Sequence, residues 1–169
     1  MKRLAVALLL VLAYAQAPYT VEGGARYWGF YPLGSWEGRN PTARGEILWD
    51  GENASGKVCL DQKAWDSGNA ERDKKALEIL RAKEHPEACF YPKTARWEGG
   101  GFVVEGELAL AGLTRPVRIE GELRETPSGY RFQGRFTTRF STWNLERPRL
   151  LFLEVRDEVE VFLEAEVRR

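Results

Sequence analysis

The feature that most constrains this chain is a two-residue hydrophobic rhythm that recurs in four segments of its second half. Phe102, Val104, Leu108 and Leu110 keep step around Gly106, while Glu105 and Glu107 point the other way. Val117, Ile119, Gly121 and Leu123 alternate with Arg118, Glu120 and Glu122. Tyr130, Phe132, Gly134 and Phe136 alternate with Arg131, Gln133 and Arg135, and Val159, Val161, Leu163, Ala165 and Val167 with Glu158, Glu160, Glu164 and Glu166. A period of two matches a pleated strand with one dry and one wet face, and no helix, whose period is 3.6.

Glycine-rich turns separate these runs, at Gly99–Gly101, Gly112 and Pro127-Ser128-Gly129, so the four read as a meander of antiparallel hairpins. In the first half, Arg26 to Tyr31, Gly45 to Trp49, Ser55 to Trp65 and Ala88 to Trp97 complete a set of about eight strands. One helix is expected between the third and fourth, over 70–83, with Leu77 and Leu80 on one face. Asn69 stands at its N-cap and Pro86 just beyond its end. The fold class is therefore all-β, as a sandwich or a closed barrel. The barrel is favoured because an up-and-down order of short hairpins closes naturally and leaves no edge strand exposed. Gly106, Gly121 and Gly134 punctuate the inward series, where glycine permits bending or leaves room.

The N-terminus carries Lys2 and Arg3, an apolar stretch from Leu4 to Ala13, and small residues at Ala13, Ala15 and Ala17. This pattern predicts a signal peptide over 1–17, cleaved after Ala15 or Ala17, followed by one domain over 18–169. The apolar run is too short to span a bilayer, which takes roughly 20 residues. The expected product is exported, in a periplasm or outside the cell. Losing Lys2 and Arg3 takes the 25 basic residues below the 25 acidic ones, and with no basic stripe a nucleic-acid partner is excluded. Cys59 and Cys89 are the two cysteines, and in an oxidising compartment their first reading is a disulfide worth roughly 3–4 kcal/mol. Two thiols and one histidine, His85, make a poor zinc site, so no metal is expected.

Several segments in series resemble the YceI-like family of polyisoprenoid-binding proteins. Leu60-Asp61 through Ser67-Gly68-Asn69-Ala70-Glu71-Arg72-Asp73 is similar to the family's strand end and its Ser/Thr-Gly and Arg-Asp opening of the helix. His85-Pro86-Glu87-Ala88-Cys89-Phe90 resembles its lead into the next strand. Gly106-Glu107-Leu108-Ala109-Leu110-Ala111-Gly112-Leu113-Thr114-Arg115-Pro116-Val117 matches its G-x-L-x-x-x-G-x-T-[KR]-P-V hairpin, and Val155 to Val161 its last strand. Where the family's first strand carries a His-Ser pair, this chain has Tyr27, Trp28 and Tyr31. The resemblance implies an eight-stranded, lipocalin-like barrel that holds a long isoprenoid chain, a quinone tail or polyprenyl lipid, in its lumen for transport or storage.

On that reading the lumen is lined by Phe102, Val104, Leu108, Leu110, Val117, Ile119, Phe132, Phe136, Val161 and Leu163. These positions carry no titratable group, so no catalytic residue and no cofactor beyond the bound lipid is expected. A barrel of eight strands can also be filled by its own side chains. The alternative is then a filled-barrel accessory module that engages a membrane-associated partner through surface aromatics and the Arg147-Pro148-Arg149 loop. Homodimerisation and a transient contact with a membrane or membrane protein are compatible with either. The six tryptophans are expected in the core or at the rim, two or three of them at the mouth.

Overall fold

The computed structural model describes residues 17–169, and the expected leader over 1–17 lies outside them but for Ala17. Within these residues run β1 (Tyr19–Tyr31), β2 (Gly34–Trp49), β3 (Ala54–Asp61), α1 (Ala70–Ile79), β4 (Glu87–Glu98), β5 (Gly101–Leu110), β6 (Leu113–Thr126) and β7 (Gly129–Arg139). They are followed by β8 (Arg149–Leu150), β9 (Leu153–Glu154) and β10 (Glu158–Arg168). Eight strands close into an antiparallel barrel in the order β1-β10-β7-β6-β5-β4-β3-β2, and β8 and β9 form a small separate hairpin. The fold is thus the eight-stranded barrel expected, with its helix between β3 and β4.

Register converts the alternation into two surfaces. Val104 lies opposite Ile119, Leu123 opposite Phe132 and Phe136 opposite Val161, so the apolar positions of neighbouring strands share the inner face. On the outer face Arg118 bonds Glu105 at 2.8 Å, Glu120 at 3.2 Å and Glu98 at 3.3 Å, and Arg96 reaches Glu98 and Glu105 at 3.4 Å. Exposed pairs of this kind contribute about 0–1 kcal/mol each. Their larger effect is to wet this face, and Val103, opposite Arg96 and Glu120, is buried among their stems.

The first half departs from the expected boundaries. β1 begins at Tyr19 rather than Arg26, and β2 begins at Gly34 rather than Gly45. A bulge between Gly23 and Ala25 lets β2 place two residues, Pro41 and Thr42, opposite one, Gly24, which resets the inward-facing set and conceals the rhythm. β3 stops at Asp61 rather than Trp65 because the Asp61 carboxylate accepts from the Lys63 N–H and starts a 3₁₀ turn over Gln62–Ala64. α1 ends at Ile79 rather than at 83, and Arg81 just beyond it takes a left-handed conformation, φ 52°.

The strand glycines leave no open room. A Cβ on Gly134 would lie 2.6 Å from the Phe132 ring, one on Gly106 2.8 Å from the Phe90 ring, and one on Gly121 1.9 Å from the Gln133 carbonyl. Their space is already taken by neighbours. Cys59 and Cys89 face each other across β3 and β4 and are joined as a disulfide with Cα atoms 4.1 Å apart.

Candidate functional site

A cavity of about 720 Å³ runs inside the barrel, within the roughly 300–1,000 Å³ typical of sites for small organic ligands. All ten expected lumen residues lie on its wall. The hairpin order sorts the rest of the wall into two ends, because β1, β3, β5 and β7 run one way and their partners the other.

One end is an aromatic plug. The Trp49 ring lies 5.5 Å from Tyr130, 5.8 Å from Phe102 and 6.3 Å from Tyr19, while Phe102 meets Trp97 at 5.1 Å and Phe132 at 6.1 Å. Most of these contacts are edge-to-face, the favoured arrangement of aromatic quadrupoles. The Trp49 indole N–H donates to the Ala95 carbonyl at 2.7 Å, which ties the plug to β4.

The other end is framed by α1 and by the segment that joins β7 to β10. Charged lining residues gather here: Glu71, Arg72 and Lys75 on α1, Arg139 at the end of β7 and Arg149 in β8. The helix is held by a clasp at its start. Asn69 accepts from the Arg72 N–H, Asp73 accepts from the Ser67 N–H and hydroxyl, and the Arg72 guanidinium bonds the Ser67 hydroxyl and carbonyl at 2.9 and 3.0 Å. This segment is therefore a structural fastening. No residue of α1 is fully buried, and Ala76, Ile79 and Leu80 look into the cavity, whereas Leu77, expected beside Leu80, is not on the wall.

Arg147, read from sequence as part of a surface patch, instead binds the small hairpin to itself. Its guanidinium donates to the Val155 carbonyl and approaches Glu154 at 3.8 Å. The Arg156 N–H donates to the Phe30 carbonyl at 2.7 Å, which moors the hairpin beside the end of β1. Leu33 in the β1–β2 turn and Leu151 and Phe152 at the hairpin tip project from this end, each 85% or more exposed.

Between the two ends the wall is apolar except at Glu164 and at a small group that the alternation did not reveal. The Tyr27 hydroxyl accepts from the Trp36 indole at 3.3 Å, and the Gln62 carboxamide oxygen accepts from the Trp65 indole at 2.8 Å. The Tyr27 and Trp65 rings meet edge-on at 5.1 Å. Burial pushes the Tyr27 phenol above its ordinary 10.0, opposed by the Trp36 bond. Of the tryptophans, Trp36 and Trp65 stand near the helix end and Trp49 and Trp97 at the plug. Trp143 is buried with its N–H on Thr138 Oγ1, and Trp28 lies on the outer surface against Phe162 and Arg26. The signal for Tyr27 was present in the odd-numbered series of β1, but its strand start was set seven residues late. Gln62 had no sequence signal beyond its place after Asp61. His85, at the end of the helical region, packs beside the Gly112 turn rather than in the cavity wall.

Residues 19–167 match a family model described as the YceI-like domain. A UPF0312 protein of Pectobacterium atrosepticum is 30% identical over 112 residues, 60% of this chain and 58% of its own. Protein YceI of Salmonella arizonae is 32% identical over 84 residues, 47% of this chain and 44% of its own. The chain thus spans about half the length of these relatives. Among solved structures, BcnA of Burkholderia cenocepacia superposes with a TM-score of 0.75 at 18% identity, over 86% of this chain and 96% of that one. A polyisoprenoid binding domain from Saccharophagus degradans gives 0.71 at 13%, over 90% and 98%. At such identities the likeness is one of fold.

Proposed function

Because the chain belongs to the YceI-like family, we propose that its barrel is an exported carrier or store for a long isoprenoid chain, a quinone tail or polyprenyl lipid, and that it binds rather than catalyses. The observation that carries this reading is the apolar cavity of about 720 Å³ between the plug and the helix end. A flexible hydrocarbon gains roughly 0.8 kcal/mol per buried CH₂ and asks for few polar partners, which suits a wall of this composition. The ten lumen residues named from the sequence serve as the ligand's contact surface. A filled barrel acting only through its outer surface is disfavoured by the same cavity.

The tail enters at the helix end and lies toward the plug. Leu33, Leu151 and Phe152 make the transient contact with a lipid bilayer during loading, and the domain acts as a single unit over 18–169. The Cys59–Cys89 disulfide favours an oxidising, extracytoplasmic location.

The test is mass spectrometry of organic extracts from the protein purified out of its native host, alongside a Val161→Trp variant that fills the lumen. A co-purifying isoprenoid, lost from the folded variant, is the expected result. Extracts without any long apolar lipid would overturn the reading.

A further inference from the structure

The charges on the cavity wall are unevenly placed. Arg72, Lys75, Arg139 and Arg149 are its cationic residues among those described, and all four stand at the helix end. At the plug, Arg169 packs over the Tyr130 ring but lies off the wall. Of the two acidic wall residues, Glu71 shares the helix end, whereas Glu164 sits in the middle of β10 with an exposed side chain. The lumen therefore has one charged end, and its sign is positive.

How firmly each cation is already engaged decides what it can offer. The Arg72 guanidinium is spent on the Ser67 hydroxyl and carbonyl, beside Asp73 on the same hydroxyl. Lys75 approaches Glu78 only at 3.7 Å and Arg139 approaches Glu158 only at 3.9 Å, with all four side chains at least half exposed. Exposed pairs at that range are weak and exchange partners easily. Neither Glu78 nor Glu158 belongs to the wall, so the cavity meets the cations and not their carboxylates. Arg149 makes no ion pair among the described residues. Lys75, Arg139 and Arg149 against Glu71 leave an excess of two positive charges on this rim. A phosphate monoester carries about −1.5 to −2 near neutral pH, and its acceptor oxygens suit the paired donors of arginine. A neutral head would leave that excess to water.

Resting on the lipid-carrying reading, we propose that Lys75, Arg139 and Arg149 form a cationic ring at the mouth that selects a lipid with an anionic, phosphate-type head. The tail lies in the lumen and the head stays at the rim in contact with water. The anion thus avoids the apolar interior, where burying a charge is costly. Exposed cations on a rim act through their summed field, so the preference falls as salt rises.

The experiment titrates farnesyl phosphate and farnesol, matched in chain and differing in head, into the wild type and a Lys75→Gln, Arg139→Gln, Arg149→Gln triple variant. Tryptophan fluorescence reads affinity, and native mass spectrometry counts bound molecules. At an ionic strength of about 0.02 M the wild type is expected to prefer the phosphate about tenfold, and at about 0.5 M about twofold or less. In the triple variant the ratio falls to near one, and in Arg149→Gln it falls partway. Arg124→Gln, which removes an exposed cation on the outer face of β6, keeps the full ratio. Should the triple variant fail to fold, as judged by circular dichroism, Arg149→Gln decides alone. Inorganic phosphate that displaced farnesyl phosphate at comparable concentration would mark a site for the bare anion and overturn the proposal. A wild type that binds farnesol equally well at low salt, or folded variants that keep the full preference, would overturn it while leaving the carrier reading intact. Equal affinities combined with loss of binding to anionic vesicles in the triple variant would overturn it in favour of a bilayer surface. Binding of neither lipid probe would sink both.

Discussion

Tyr27 shows how one residue can report on the inside of the barrel. Its phenol is held above its ordinary 10.0 by burial, so the folded state keeps a proton that the unfolded chain gives up first. The stabilisation is full below pH 10.0 and is lost as pH rises past it toward the folded value. The urea midpoint of the wild type is therefore expected to fall above that pH more steeply than that of Tyr27→Phe; parallel curves would mean that the phenol is not shielded. The same residue marks what the sequence did not disclose. Phe132 and Val161 were legible as inward because their strands alternate them with polar residues such as Arg131, Gln133, Glu160 and Glu164, whereas Tyr27 and Gln62 are defined by partners 9 and 3 residues away, Trp36 and Trp65. No periodicity records a hydrogen bond.

Among the elements, β5, β6, β7 and β10 were readable nearly to their ends because their inner and outer faces are chemically opposite. β1 and β2 were not, because the bulge between Gly23 and Ala25 breaks the two-residue count and aromatic residues occupy both faces, as Tyr27 and Trp28 do. The β8–β9 hairpin, two residues per strand, is too short for any pattern. The weakest join is between β3 and β4, where four register pairs hold the strands that flank α1. The disulfide lies within that short ladder. Replacing both Cys59 and Cys89 with serine is expected to lower stability by about 2–4 kcal/mol in urea unfolding, and adding reductant to the wild type should reproduce the loss. An unchanged midpoint would show that the ladder holds without the bond.

For the whole molecule, the two ends of the barrel differ in what they offer to their surroundings. Leu33, Leu151 and Phe152 project beside the charged rim of the helix end, an arrangement suited to dipping briefly into a bilayer. A variant with all three changed to serine is expected to transfer a fluorescent isoprenoid to anionic vesicles several-fold more slowly than the wild type, at similar affinity for the probe in solution. Equal transfer rates would assign these residues no part in delivery.

The aromatic plug has a consequence of another kind. A sleeve open at both ends accepts a chain of any length, whereas a cup has a depth. With Trp49, Phe102 and Tyr130 as its floor, the barrel would gauge any chain it carried: a tail shorter than the depth would leave empty space beneath it, and a longer one would leave its surplus outside in water. On the carrier reading such a floor would select for length, and exchanging a single ring would reset the gauge.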